Sequence, residues 1–383
     1  MKNKALLAIL FTISVVSAFY PADKVGFFRS PTLSLPIDTT YVYFIDFKEV
    51  TGKGTLFQSR SKEGYPLMYF RNIQTDVCFD GKCRMLNVNL YWNVTGRYLG
   101  FELPPGEFLS KTDHDPFTKE EYIRLGNLLA DSLSPLATFS YEALVPRPAA
   151  EALKVDAISS PTAPYVLDYI VKGAAYTTYK LWHFVYGQSQ LEIEQLTIKE
   201  LSPALLLKII ESADTGDKMW AINHTGGYLL TDFKLQRSII DLITNQNYSL
   251  SERTISTLPL KKGNLDSLQH LLIEKLNTSN YAIKKLIVGK LAEAPRLNAQ
   301  AIQDLALQLK TMNGELIGNV LDIYQKNNVK EVEIGQVVAE LLENENNFIS
   351  QKAYKFIKES KIQDKVINKQ MVRYKLKHNL SKN

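Results

Sequence analysis

Two cysteines, Cys78 and Cys83, bracket Phe79-Asp80-Gly81-Lys82, a spacing that suits a disulfide across a hairpin. Asp-Gly favours a type I′ turn because both residues accept positive φ. With Asp80 and Gly81 as the loop, Cys78 faces Cys83 in a non-hydrogen-bonded pair. Such a pair sets its Cα atoms about 4.5 Å apart, within bridging range. A redox-active pair is the alternative, but no neighbouring histidine or helix N-terminus is evident to lower a thiol pKa. In Asp113-His114-Asp115 two carboxylates flank a histidine, the residue types of a metal or acid–base site. Adjacent loop residues diverge, so a solvated turn is the simpler reading. His224, before Thr225-Gly226-Gly227, reads as the residue that ends a helix rather than a ligand. The last cluster is of hydroxyls: Ser159, Ser160 and Thr162 lie between Asp156 and a long apolar-aromatic segment, where Ser160 or Thr162 would cap a helix's orphan amides. No phosphate-binding glycine loop, His-Glu-x-x-His or Gly-x-Ser-x-Gly is present, and no nucleophile–base constellation supports a hydrolase.

The run Asp156-Ala157-Ile158-Ser159-Ser160-Pro161-Thr162 resembles the Asp-x-x-Ser/Thr-Gly-Ala-Thr motif of the FMN-binding domain family. The resemblance extends over about residues 76 to 187. It implies an electron-transfer module in which Thr162 carries or contacts the flavin phosphate, Asp156 belongs to the recognition sequence for flavin transfer, and Ser159 shapes the turn. Tyr176, Tyr179 and Trp182 would then lie near the isoalloxazine, although aromatics at helical spacing also serve as plain core. Ser160 and Pro161 stand where the family has Gly and Ala. A side chain and a missing N–H there oppose close approach of a phosphate. That departure favours the rival reading, a non-catalytic scaffold whose flavin-like domain has lost its ligand, while the retained Asp156 and Thr162 oppose it and keep the electron-transfer module as the leading expectation.

The elements that must hold these residues are legible from periodicity. Residues 19–39 are proline-rich and read as an extended lead-in. Alternation of β-branched and aromatic residues predicts strands at 40–50, 67–79, 83–94 and 96–103. In the third, Leu86, Val88, Leu90 and Trp92 alternate with Asn87, Asn89 and Tyr91, so one sheet face is covered and the other wetter. Asn93-Val94-Thr95-Gly96 supplies the next turn, and Asn93 with Thr95 also forms a glycosylation sequon. Thr118 and Glu121 have capping-box spacing for a helix to about Ala130, with Ile123, Leu125, Leu128 and Leu129 on its buried side. Within 155–187, Val166, Ile170, Ala174, Thr177, Leu181 and Phe184 recur at helical steps and predict one long helix entered through Pro161 and Pro164.

After Gly187, leucine, isoleucine, lysine and glutamate dominate and no strand is evident. Helices are predicted at 192–212, 229–245, 251–257, 265–277, 280–294, 298–309, 314–325, 332–342 and 347–359. They begin about every 15 to 18 residues, a helix-pair spacing read as close to that of HEAT-type arrays, with irregular helix packing as the rival. Lysines 352, 355, 358, 361, 365 and 369 alternate with Phe356, Ile357, Ile362, Val366 and Ile367. This basic amphipathic segment suits either an array cap or a surface for anionic lipid or an acidic partner.

Lys2 and Lys4, the apolar run from Ala5 to Ile13 and Val16-Ser17-Ala18 read as a secretory leader. The 383 residues carry a net charge of +5, falling to +3 without the leader's lysines, too little to imply nucleic acid. The expected organisation is a leader at 1–18, an α+β antiparallel-sheet domain at 19–187, and an all-α, solenoid-like domain at 188–383. The expected protein is periplasmic or extracellular, with FMN as the implied cofactor and a protein partner for the helical domain.

Overall fold

The computed structural model describes residues 25–48, 53–77, 84–111, 114–140, 144, 164–262 and 265–380. They fall into two compact units, one made of residues up to Leu201 together with Glu211–Asp217, the other of Ser202–Ile210 and residues from Lys218 onward.

The first unit is an α+β structure on a six-stranded antiparallel sheet. Strands β1 (Gly26–Phe28), β2 (Thr39–Asp46), β3 (Lys53–Arg60), β4 (Pro66–Thr75), β5 (Leu86–Asn93) and β6 (Tyr98–Glu102) lie in the order β1-β6-β5-β4-β3-β2. Strands β2 to β6 form a meander, and β1 closes the far edge against β6. The alternation in β5 holds: Leu86, Val88, Leu90 and Trp92 are buried in the core, while the amide of Asn72 on β4 bonds Asn87 and Asn89 on the wetter face.

Two strands escape the alternation rule. β1 lies within the expected lead-in, and β3 joins the sheet through Gln58, Ser59 and Arg60, which its composition does not advertise. β3 depends on a glycine, because a Cβ on Gly54 would sit 2.4 Å from the Phe47 ring. On the wetter face Phe57, Phe70, Tyr91 and Phe28 form a cross-strand aromatic row with centroid separations of 4.7, 5.5 and 5.0 Å. Gly100 opposes Phe28 on one side and Tyr91 on the other, and leaves the space Phe28 fills.

Helix α1 (Lys119–Leu129) starts on the expected capping box: the Thr118 N–H donates to Glu121 Oε2 at 2.8 Å, and Glu121 N–H to Thr118 Oγ1 at 3.3 Å. Tyr122, Leu125 and Leu129 face the core; Ile123 is turned to solvent, correcting its expected burial. The long helix expected across 155–187 is broken. A 3-10 segment at Pro164–Tyr169 and α2 (Ala175–Val185) are separated by a turn in which Gly173 has φ +77°. The predicted stripe is nevertheless buried along its length, from Val166 to Phe184. Thr178 stitches the break, its hydroxyl donating to Ala174 O and accepting from Val171 N. Trp92 on the sheet donates its indole N–H to Val185 O at 2.8 Å.

The helix expected at 192–212 is two helices, α3 (Gln188–Lys199) and α4 (Pro203–Ile210), because Pro203 suits a first turn and cannot continue a helix. α3 belongs with the sheet: Thr197 Oγ1 lies 3.0 Å from Tyr69 OH and donates to Val94 O, and Ser189 accepts from Arg71.

The second unit is all-helical. Beyond α4 it runs through α5 (Thr215–Asn223, whose first residues group with the sheet unit), α6 (Phe233–Asp241), α7 (Tyr248–Thr257), α8 (Asp266–Thr278), α9 (Tyr281–Glu293), α10 (Ala299–Gln308), α11 (Gly314–Lys326), α12 (Val332–Glu340), α13 (Asn347–Ser360) and α14 (Lys365–Lys377). Alternate helices stack: α4, α6, α8, α10, α12 and α14 form one layer, and α7, α9, α11 and α13 the other. α6, α8, α10, α12 and α14 start 33 residues apart, as do α7, α9, α11 and α13. The result is a regular two-layer, solenoid-like array.

Candidate functional site

Asp156, Ser159 and Thr162 lie outside the described residues, as do Cys78 and Cys83, the leader at Met1–Ala18 and Asp113. The aromatics expected beside a flavin are described. Tyr179 OH donates to Phe139 O at 2.9 Å and Trp182 Nε1 to Asp131 O at 2.9 Å, and both rings pack against His183. Trp182 is buried in the core, and Tyr176 and Tyr179 pack half-buried against it. His183 Nε2 lies 3.1 Å from Leu136 O, and burial pushes its pKa down.

His114 occupies a tight turn at φ 61°, its N–H bonded to Lys111 O while Lys111 N–H bonds Asp115 O. This is the turn geometry the loop composition suggests. Among the described residues no group of three or more His, Cys, Asp or Glu is placed to hold a metal ion, and no helix is long and apolar enough to cross a membrane. His224 follows the last residue of α5, with Nδ1 2.8 Å from Trp220 O and its ring stacked on Trp220 at 4.0 Å, as expected of a helix terminator.

Among the described residues of the sheet unit, a dense polar constellation surrounds Asp217, whose carboxylate is wholly buried. Oδ1 accepts from Asn93 Nδ2 at 2.8 Å, Thr95 Oγ1 at 2.9 Å and Arg97 Nε at 3.0 Å. Oδ2 accepts from Thr32 Oγ1 at 2.8 Å, Ser212 Oγ at 2.8 Å and Arg97 Nη2 at 2.9 Å. Burial alone would push this carboxyl pKa up, but the Arg97 hydrogen bonds and charge outweigh it, helped by Ser212 and Thr32, and hold the group below the usual carboxylate range. With every lone-pair direction engaged, the group is an ionised anchor rather than an acid or a ligand.

Three of its donors come from the β5–β6 turn, which closes through Asn93 N–H to Arg97 O at 2.9 Å, with Gly96 at φ +81°. The turn expected from Asn93-Val94-Thr95-Gly96 therefore forms. Its sequon is buried: Asn93 Oδ1 accepts from Thr95 N–H and Arg97 N–H and lies 2.9 Å from the Thr95 hydroxyl, whose one proton it shares with Asp217. Nothing in the local sequence ties this turn to an aspartate some 120 residues away. The only signal is an uncommon density of hydroxyl, amide and guanidinium groups in one short turn.

The array has its own repeated chemistry. Asn247, Asn280, Asn313 and Asn346 recur every 33 residues and cap α7, α9, α11 and α13, each side-chain oxygen accepting a first-turn N–H at 3.0 to 3.1 Å. Buried Gln269 ties one repeat to the next, donating to Arg296 O and accepting from Asn298 N–H. Outside, ion pairs bridge neighbouring repeats: Lys275–Asp241, Arg237–Glu274, Lys285–Glu315, Lys352–Asp322 and Arg373–Glu343. Exposed aromatics stand in the first turns of three helices of one layer: Tyr248 on α7, Tyr281 on α9 and Phe348 on α13. Tyr281 OH donates to Glu315, which also pairs with Lys285.

In comparisons with known proteins, no family model matches the chain and no curated protein matches it.

Proposed function

We propose that this protein is an extracytoplasmic, non-catalytic adaptor in which the sheet unit is a rigid folded module and the helical array presents a surface to a protein partner. The observation that supports this reading most is the aromatic series at the array's helix starts, Tyr248, Tyr281 and Phe348. Exposed aromatics set among paired charges are the usual anchors of protein interfaces. The 33-residue repetition behind them supplies a scaffold on which Tyr248 and Tyr281, in one register, keep fixed spacing. The charged leader end and the apolar run of Ala5 to Ile13 support export. The test is affinity capture from the envelope fraction of the source cell with the full chain and with the triple variant Tyr248→Ala, Tyr281→Ala, Phe348→Ala. A partner held by the first and released by the second is expected. A partner set unchanged by the triple variant overturns the assignment of this surface.

The second reading is a flavin carrier, which rests on the resemblance of Asp156 to Thr162 to the FMN-binding motif. It requires a yellow protein whose intact mass carries an FMN-sized addition that Thr162→Ala abolishes. Colourless protein of unmodified mass, made in a host with a flavin transferase, removes it.

A further inference from the structure

We infer that the outward face of α14 is a docking surface for anionic lipid, so that the array lies against a membrane at that end. Val366, Val372 and Leu376 are 53, 57 and 74% exposed, and Leu380 just beyond the helix is 42% exposed. At 100° per residue they share one sector with Lys365, Lys369, Arg373 and Lys377, opposite the buried Ile367 and Tyr374.

The repeat register shows that array stacking does not account for Val366 or Leu376, whereas Val372 continues the apolar series of Ile240, Ile273, Ala306 and Ala339. Leu376 occupies the position held 33, 66, 99 and 132 residues earlier by Glu343, Lys310, Asn277 and Thr244, polar in every repeat. Val366 likewise follows Glu333, Gln300, Ser267 and Lys234. Two solvent-side positions that are polar four times over have become apolar on one helix. The charge changes with them: Arg373 stands where the earlier repeats carry Glu340, Leu307, Glu274 and Asp241, acidic in three of four, and Lys377 where they carry Asn344, Thr311, Thr278 and Asn245. From Gln351 to Leu380 nine lysines and arginines face two acids, more than the whole chain's net +5.

Exposed aliphatics interleaved with long basic side chains match the boundary of an anionic bilayer. The aliphatics enter the acyl margin while lysine stems lie along it and their ammonium groups reach the headgroups. An acidic protein would satisfy the lysines but has no requirement for Leu376 or Val366 in place of polar residues.

Flotation of the full chain with vesicles tests this, using one part phosphatidylglycerol to two parts phosphatidylcholine against phosphatidylcholine alone. Any contribution of the N-terminal apolar run is common to all variants. Binding is expected only to the anionic vesicles and to fall steeply in half-molar sodium chloride. A lysine near such a surface contributes about fivefold to partitioning, so Lys365→Glu, Lys369→Glu, Lys377→Glu together lower it roughly hundredfold or more. Val366→Ser, Val372→Ser, Leu376→Ser lowers it at least about tenfold through lost apolar burial. All six positions are exposed or flank solvent, and matching far-UV melting curves verify folding; the corresponding Lys→Gln triple replaces any charge-reversed variant that fails to fold. Equal binding to neutral vesicles overturns the inference. So does retention by the serine triple together with loss by the glutamate triple, which assigns the face to an acidic polymer.

Discussion

Replacing Arg97 by alanine isolates the Asp217 anchor. The substitution removes a countercharge that contacts both carboxylate oxygens, at 3.0 and 2.9 Å, and leaves a buried charge with neutral donors from Thr32, Asn93, Thr95 and Ser212. Breaking a buried ion pair from one side costs about 3–5 kcal/mol. Arg97 is 21% exposed and water partly replaces it, which places the loss near the lower end, about 3 kcal/mol. At about 2–4 °C per kcal/mol for a unit of this size, the midpoint falls by roughly 6–12 °C. Urea unfolding followed by tryptophan fluorescence is the assay, since Trp92 and Trp182 both lie in the sheet unit. The pH dependence follows from the depressed Asp217 pKa. A carboxyl whose folded value lies below its unfolded value of about 3.9 contributes fully above that pH, and its contribution is lost as pH falls through the folded value. Wild-type stability therefore drops on acidification below about pH 4 more steeply than that of Asp217→Asn, which has no proton to take up. In Arg97→Met with Asp217→Leu the two losses are not additive, the double variant being more stable than their sum by about 1–3 kcal/mol. A loss below about 1 kcal/mol in Arg97→Ala, or strict additivity in the double variant, refutes the account of Asp217 as a charge-compensated anchor.

Asn280→Ala removes one helix cap and lowers array stability by about 1 kcal/mol, with Asn280→Asp nearly neutral; thermal unfolding by circular dichroism reads both. Gly100→Ala sets a Cβ 2.2 Å from Phe27 O, so β1 loses its register against β6 and its amides exchange with solvent faster than those of β5. In a glycosylating host the folded chain carries no glycan on Asn93, because that side chain is buried and fully bonded; intact mass shows no glycan addition at this site, and occupancy there marks chains modified before folding.

What the sequence disclosed and what it withheld divide along the range of the interactions. The Thr118 capping box, the β5 alternation and the Asn93–Gly96 turn are set by residues within a few positions of one another, and each appears where the spacing places it. The stripe from Val166 to Phe184 was legible as a buried face but not as two segments, because a burial period does not report the backbone reversal that Gly173 permits. β3 stayed hidden because its inward Gln58 and Arg60 are satisfied by distant partners, Tyr69 and Glu200, that composition cannot reveal. The Asp217 cluster is the extreme case, a site assembled from Thr32, the Asn93 turn and the Ser212 segment. The flavin-like motif rests on Asp156, Ser159 and Thr162, which lie outside the described residues.

The 33-residue period gives the helical array a reference against which any single side chain can be judged. Positions that repeat in type are needed by every copy: the capping asparagines at 247, 280, 313 and 346 and the buried aliphatics Leu235, Leu268, Ala301, Ile334 and Ile367. Positions that vary while remaining polar and exposed carry no demand beyond solubility. A position that is polar in four copies and a bare leucine in the fifth, as at Leu376, answers to something outside the repeat. The same comparison separates the two surfaces proposed for the array. Tyr248 and Tyr281 share one register and so offer regularly spaced anchors, while the basic and aliphatic face of α14 departs from register at several positions together. A partner that reads the first is engaged along the array, and a membrane that reads the second touches it at one helix, so variants of one surface leave the other's binding intact.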